Sequence, residues 1–163
     1  MKKFILILGA VVACVFAFTS CDGKAESTPG LELGYKCYRT TLAGRSDTVF
    51  VTDTFNVGDT VRVFTAVSGG MYYNTLVSFT ALCDTAALDF TLECDSAIYP
   101  YLTAESDVAH GKLVFKPEQV FLCTMWMRFT PRKSGSHKIE MTVANNASAE
   151  YSPRTWSYIP AVR

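Results

Sequence analysis

The sequence predicts an all-β protein, a single antiparallel β-sandwich of about nine strands. Apolar residues recur with a period of two along most of the chain, which is typical of strands with one buried face. Clusters of Gly, Pro, Asn and Asp interrupt these segments roughly every 8 to 12 residues, as turns do in a sandwich. No segment has the apolar spacing of a convincing amphipathic helix. One-sided alternation favours antiparallel sheets, because parallel strands are usually buried on both faces.

Two segments show the alternation most clearly. Residues 136–144 place His137, Ile139, Met141 and Val143 on one face and Lys138, Glu140 and Thr142 on the other. Residues 87–94 place Leu88, Phe90 and Leu92 inward and Asp89, Thr91 and Glu93 outward. Less strict alternation predicts strands at residues 31–40, 48–52, 60–67, 75–83, 112–116, 123–130 and 155–159. A short helical turn is compatible with residues 117–121.

The first 20 residues have the organisation of an export signal. Lys2 and Lys3 form a positive head, and residues 4–18 form an apolar stretch. This stretch is shorter than the roughly 20 residues that span a bilayer. Residues 18–21 (Phe-Thr-Ser-Cys) resemble the lipobox of bacterial lipoproteins, with Phe18 in place of the commoner aliphatic residue. The resemblance implies cleavage before Cys21, lipidation of its thiol (palmitate included) and acylation of the new N-terminus.

Such a protein is held at the cell envelope by its lipids, since several acyl chains anchor stably where one does not. The resemblance therefore implies lipid anchoring at Cys21, at the outer membrane, with the domain either periplasmic or exposed at the surface. An ordinary secretory signal without lipidation is the alternative. Residues 21–30 lack apolar periodicity and end in a Pro-Gly breaker, which predicts a flexible tether before a domain at residues 31–163.

Composition excludes some classes of function. Removal of a 20-residue leader leaves 143 of the 163 residues, enough for one domain with a core. The leader holds two of the 15 basic residues and none of the 15 acidic ones, so the formal side-chain charge of the mature chain is −2. Clustered Lys and Arg, which nucleic-acid binding requires, are missing from this sequence. We therefore expect no nucleic-acid partner.

Four cysteines remain in the predicted domain: Cys37, Cys83, Cys94 and Cys123. They allow three complete disulfide pairings, and the sequence does not choose among them. Strand parity places all four inward, where unpaired thiols behave as small apolar side chains. A tight hairpin of residues 75–83 and 87–94 would separate Cys83 from Cys94 by roughly 15–20 Å, too far for a disulfide. Since no C-x-x-C spacing occurs, we expect no metal site and no cofactor.

Two segments resemble the immunoglobulin-like domains of exported bacterial proteins. Residues 55–63 are similar to the x-V-G-D-x-V turn that opens the second core strand, and residues 128–139 to the late F-x-P-x-x-x-G-x-Y-x-I turn. The resemblance implies an immunoglobulin-like fold and no particular activity. His137 stands where the family usually has a corner tyrosine, whose hydroxyl bonds to the backbone. We expect the His137 imidazole to bond a main-chain carbonyl in the same way.

Four short triplets resemble the Asp-Ser/Thr-aliphatic acceptor of a general O-glycosylation system in some gut Gram-negative bacteria. They begin at Asp47, Asp59, Asp84 and Asp95. The same triplets are also ordinary chemistry for the start of a strand, so both interpretations stay open.

Catalytic residues are not apparent. Residues 106–110 contain a Ser, an Asp and a His, but triad members normally come from distant segments, and this stretch is typical of a polar loop. The acidic residues Asp84, Asp89, Glu93 and Asp95 could supply oxygen ligands to calcium, although their alternation fits a solvated strand face better. We therefore expect a protein that is not an enzyme.

Aromatic residues give the strongest indication of a binding surface. Tyr72 and Tyr73 follow a Gly-Gly turn, Tyr99 and Tyr101 flank a loop proline, and Trp126 has outward parity. Exposed Tyr and Trp form carbohydrate platforms and interface hot spots, although packing under a long loop is the alternative. We expect an envelope lipoprotein that serves as a binding or structural module, in contact with a glycan or an envelope protein. The alternative is a non-catalytic accessory subunit of a secretion, conjugation or polysaccharide-uptake system.

Overall fold

The computed structural model describes residues 27–70 and 74–163. The leader, Cys21, most of the tether, Tyr72 and Tyr73 lie outside these residues, so the predictions made for them stay predictions. The main strands are β1 (Gly30–Thr40), β2 (Ser46–Thr48), β4 (Thr60–Ser68), β5 (Leu76–Cys83), β6 (Leu88–Cys94), β7 (Lys112–Val114), β8 (Leu122–Pro131), β10 (Ile139–Asn145) and β11 (Arg154–Tyr158). Three two-residue strands are β3 (Thr54–Phe55), β9 (Gly135–Ser136) and β12 (Ala161–Val162).

Two large sheets form the sandwich. One has the order β2-β1-β4-β8-β6, the other has the order β11-β10-β5-β7, and every pairing within them is antiparallel. A small third sheet, β3-β12-β9, closes one end and contains a parallel pair, β3 with β12. The two large sheets share one apolar core, to which β4 and β8 contribute from one side and β5 and β10 from the other. The described residues form an all-β sandwich of two antiparallel sheets, as predicted.

The predicted alternation accounts for this core. Ile139, Met141 and Val143 of β10 are fully buried, whereas Glu140 and Thr142 are only partly covered. In β4 and β8 the inward side chains are fully or almost fully buried and, apart from Thr65, apolar, and the outward ones are more exposed. Each strand therefore directs one face toward the core, and its hydrophobic pattern determines which face is buried.

Both turns that resemble immunoglobulin-like domains lie at the same end of the sandwich. Gly58 has a φ of 86° and donates its N–H to the carbonyl of Pro131, which joins the two turns directly. The buried carboxylate of Asp59 accepts bonds from the backbone and side-chain nitrogens of Asn56. The His137 imidazole lies 2.8 Å from the carbonyl oxygen of Lys133. The predicted corner histidine is confirmed.

The structure differs in several local details from what the sequence pattern indicated. Strands β5 and β6 belong to different sheets, so residues 75–83 and 87–94 do not form a hairpin. The strand predicted at residues 48–52 is instead β2, because Asp53 accepts the N–H of Phe50 and turns the chain there. Residues 117–121 form no helix, and 3₁₀ helices occur at Ser96–Tyr101 and Val108–His110. β1 begins at Gly30, which the sequence assigned to the tether.

The four cysteines of the described residues are unpaired thiols. Cys37 and Cys123 are buried, and Cys83 and Cys94 are partly covered. Burial disfavours the thiolate and raises the thiol pKa of Cys37 and of Cys94 to about 11 and that of Cys123 to about 12. The pKa of Cys83 is raised as well, again chiefly through burial.

These raised pKa values predict inert thiols. Because the thiolate is the nucleophile, iodoacetamide at pH 8 should alkylate the folded protein much more slowly than the denatured protein, with Cys83 reacting first. Mass spectrometry of the alkylated protein measures the order of reaction. Folding raises the pKa of the Cys37 thiol from 9.0 to about 11, so the folded state holds this proton more tightly than the unfolded state. The contribution of this thiol to the free energy of unfolding is therefore complete below pH 9 and is lost as the pH rises from 9 to 11. Rapid alkylation of Cys123 in the native state would contradict this prediction.

Candidate functional site

Trp126 lies at the centre of an aromatic cluster on the outer face of the five-stranded sheet. Its ring centroid is 5.3 Å from that of Phe64 and 5.5 Å from that of Tyr38. The guanidinium of Arg62 lies over the indole, 4.9 Å from the ring centroid, in cation–π geometry. Glu93 pairs with Arg62 at 2.5 Å. We call Tyr38, Arg62, Phe64, Glu93 and Trp126 the aromatic patch.

Strand register assembles this patch. Phe64 of β4 and Glu93 of β6 are the direct cross-strand partners of Trp126 on β8. Tyr38 of β1 is the cross-strand partner of Arg62 in the same way. Directly opposed side chains on one face of a sheet have Cβ atoms about 4.5–5.5 Å apart, close enough for ring and ion-pair contacts. The outward parity predicted for Trp126 is therefore what brings these groups together.

A shallow depression of about 290 Å³ adjoins the aromatic patch. Arg62, Phe64 and Trp126 contribute to its lining together with the oxygen-bearing side chains of Glu93, Asp95 and Thr124. The side chains of Arg62 and Glu93 are 44% and 37% exposed, so their ion pair is open to solvent. Such a pair contributes little to folding stability, and its charges are available to a ligand.

The predicted ligand residues do not all meet. Tyr99 is 51% exposed and Tyr101 is 43% exposed, both on the 3₁₀ helix that follows β6. Within residues 27–70 and 74–163, no ring contact links either of them to Trp126. Tyr72 and Tyr73 lie outside the described residues. The described part of the predicted surface is thus divided between one sheet face and one end of the sandwich.

The sequence did not reveal Tyr38, Arg62 and Phe64 as members of the site. Arg62 and Phe64 have outward parity in β4, and the alternation of the sequence indicates this orientation. Their distance from Trp126 depends on the pairing of β4 with β8, two strands far apart in the chain. Alternation alone does not supply this register.

The Ser, Asp and His of residues 106–110 do not form a catalytic triad. The Ser106 hydroxyl is 3.1 Å from the carbonyl oxygen and 2.9 Å from the N–H of Val114, so it stabilises the loop. The His110 imidazole lies 2.8 Å from the carboxylate of Asp107. This bond holds the pKa of the Asp107 carboxyl below its ordinary value.

The acidic side chains of β6 and of the loops beside it make contacts that stabilise the fold. Asp84 and Asp95 accept the backbone N–H groups of Ala86 and Ala97. Asp89 lies 3.5 Å from Arg132. Among the residues that the structure describes, no group of three or more His, Cys, Asp or Glu side chains is arranged to hold a metal ion.

The hydroxyls of the four glycosylation-like triplets differ in accessibility. Thr48, Thr85 and Ser96 are exposed. Thr60 is partly covered, and its hydroxyl lies 3.2 Å from that of Thr130. Of the four, the three exposed hydroxyls are the ones that a modifying enzyme could reach in the folded domain.

No protein-family model matches the chain, and neither does any curated protein. Several solved structures match it, including the following two at low identity. One is a cohesin module of a family 33 glycoside hydrolase from Clostridium perfringens, with a TM-score of 0.44, 13% identity, and coverage of 83% of this chain and 96% of the module. The other is a family 123 glycoside hydrolase from the same organism, with a TM-score of 0.45 and 10% identity, covering 83% of this chain and 27% of the hydrolase. Both TM-scores are below 0.5, so neither likeness carries an argument about function.

Within residues 27–70 and 74–163, no helix has the length and apolar character needed to cross a bilayer.

Proposed function

We propose that this protein is a lipid-anchored lipoprotein of the bacterial cell envelope and that it binds a partner protein through the aromatic patch. The observation that carries the proposal is the grouping of Trp126, Tyr38 and Arg62 on an open sheet face. Trp, Tyr and Arg are the residues enriched in interface hot spots, because they combine large contact areas with directional polar groups. The protein acts by contact and is not an enzyme.

A protein partner fits this geometry better than a sugar does. A sugar ring that stacked on Trp126 would compete with the Arg62 guanidinium, which already lies over the indole. A protein surface can instead supply a carboxylate to Arg62 and apolar contacts to Tyr38 and Phe64. A glycan is the second candidate, because Glu93, Asp95 and Thr124 place hydrogen-bonding oxygens beside the indole.

An accessory subunit of a secretion, conjugation or polysaccharide-uptake system would use the same patch against a neighbouring subunit. In that role the protein has no small ligand of its own. Neighbouring genes would identify the system, since the components of such assemblies are encoded together.

The anchor is tested by the substitution Cys21→Ala. We expect an uncleaved or mislocalised precursor that leaves the outer-membrane fraction, because the acceptor thiol is lost. The matched control is Cys14→Ala, which changes a leader cysteine and should leave localisation unaltered. Cell fractionation and labelling with an alkyne fatty acid measure both variants. If Cys21→Ala fractionates and migrates like the unmodified protein, the lipoprotein assignment fails.

The patch is tested by photocrosslinking in cells. A benzophenone amino acid at Thr124, exposed beside Trp126, should crosslink one defined partner protein. The control position is Leu82 of the other sheet, which is 63% exposed and should give no such product. Arg62→Ala should weaken binding of that partner by about 2 kcal/mol, as truncation of a hot-spot residue does. Equal products from Thr124 and Leu82 would contradict the proposal, and binding on a glycan array would favour the second candidate.

A further inference from the structure

The N-terminal part of the described chain is fixed to one end of the sandwich. The buried side-chain amide of Asn145 donates to the carbonyls of both Ser27, at 2.6 Å, and Gly69, at 2.5 Å. Gly30 pairs with Ser68, and Ser68 pairs in turn with Leu122. We call the end of the sandwich that contains these residues the near end.

Four large apolar side chains are exposed at the near end. They lie in two regions, the 3₁₀ helix after β6 and the start of β8, and are Tyr99 (51%), Tyr101 (43%), Phe121 (52%) and Leu122 (60%). The two regions are joined by the backbone bond from Lys116 to Tyr101 and by the bridge of Leu102 with Phe115. Phe121 accepts the N–H of Gly69, whose carbonyl shares the Asn145 amide with Ser27. The exposed side chains and the start of the described chain therefore occupy the same end.

Lipidation of Cys21 would hold the near end against the bilayer. Only five residues lie between Cys21 and Ser27, which is bonded to the domain. The six residue steps from Cys21 to Ser27 span at most about 20 Å even when fully extended. A folded domain of 100 residues has a radius of gyration of about 13 Å, so no partner domain fits between the near end and the headgroups.

From this geometry, and resting on the proposed lipid anchor, we infer that Tyr99, Tyr101, Phe121 and Leu122 form a membrane-contact surface. Tyrosine favours the membrane interface, because its ring is apolar and its hydroxyl stays hydrated. Phe121 and Leu122 supply apolar area that can enter the boundary between headgroups and acyl chains. The tether keeps the bilayer at high effective concentration, so a weak preference is enough to orient the domain.

This orientation directs the opposite end away from the membrane. β1 runs from the near end to Thr40, a length of about 35 Å at the usual rise per residue. Leu42 and Phe50, which follow β1, are 80% and 76% exposed. They are more exposed than any of the four near-end side chains and are therefore a stringent control, because apolar exposure alone would favour them for lipid contact.

The test is lipid photocrosslinking of the full-length protein. The protein is purified from a lipidating bacterial host and reconstituted in vesicles of phosphatidylethanolamine and phosphatidylglycerol that contain a diazirine-bearing phospholipid. After irradiation and digestion, mass spectrometry reports the modification of Cys21 and the positions of lipid adducts in one sample. We expect adducts on the peptides with Tyr99, Tyr101, Phe121 and Leu122 at about tenfold the yield on Leu42 and Phe50, because the tether confines the near end to the bilayer.

The outcomes separate the anchor from the contact surface. Lipidated Cys21 with adducts spread evenly, absent, or concentrated on Leu42 and Phe50 overturns the membrane-contact surface and leaves the anchor standing. Unmodified Cys21 overturns the anchor, and this inference with it. The variant that combines Tyr99→Ser, Tyr101→Ser, Phe121→Ser and Leu122→Ser should lose the near-end adducts, whereas Leu42→Ser with Phe50→Ser should keep them. All six side chains are exposed, and circular dichroism checks that both variants fold.

Discussion

Truncation of Met141 to alanine should lower the free energy of unfolding by about 2–5 kcal/mol, as the loss of a buried Met side chain does. Met141 is fully buried in the central region of β10, between Ala81 of β5 and Trp156 of β11. Neighbouring side chains close the resulting cavity only in part, since both flanking strands are fixed by backbone hydrogen bonds. Urea denaturation followed by circular dichroism measures the change.

The matched control for this core variant is Thr142→Ala on the outer face of the same strand. The Thr142 hydroxyl lies 3.0 Å from that of Thr155, and both are open to solvent. Its removal should change stability by less than about 1 kcal/mol. A loss below about half a kcal/mol for Met141→Ala would be incompatible with a core of normal packing around β10.

Replacement of Asn145 should also lower the free energy of unfolding by a large amount. Its side-chain nitrogen donates to the Ser27 and Gly69 carbonyls, and its side-chain oxygen accepts the N–H of Ala147. Asn145→Ala should cost about 1–3 kcal/mol, because it leaves buried backbone groups without partners. Asn145→Asp should cost about 3 kcal/mol or more at neutral pH, since it places a buried carboxylate against two carbonyl oxygens.

A neighbouring asparagine provides the control for this prediction. Asn146 is exposed, and its side-chain oxygen accepts one hydrogen bond, from the N–H of Thr75. Asn146→Ala should therefore cost about 1 kcal/mol. Hydrogen exchange should also show faster opening at residues 27–30 in the Asn145 variants alone. Equal losses for the two asparagines would contradict the special role of Asn145.

Strand identity and inward faces could be predicted from the sequence, because a half-buried strand must alternate. This is why Ile139, Met141 and Val143 were assigned correctly to the core. Two-residue strands such as β3, β9 and β12 are too short to show a period. Alternation also does not predict that β5 and β6 belong to different sheets, since a strand has the same apolar pattern in either sheet.

The candidate site was predicted only as far as parity allowed. Trp126 was placed on the outer face, but the ring contacts with Tyr38 and Phe64 depend on pairings between distant strands. Asn145 was missed for a similar reason. A single asparagine at the end of a strand gives no sequence signal of two carbonyls that approach it from Ser27 and Gly69.

The parallel pair of β3 and β12 makes the completion of one end of the sandwich depend on two strands that lie far apart in sequence. Val162 pairs with the fully buried Phe55, and the Arg163 side chain bonds Asn56 across 107 positions in sequence. Loops of this length close slowly, because their entropy must be lost before the contact stabilises the chain. In a chain that is exported N-terminus first, as the proposed leader requires, Phe55 therefore stays without its β12 partner until Val162 has crossed the inner membrane. Until then its ring lacks one side of the cover that buries it in the finished domain.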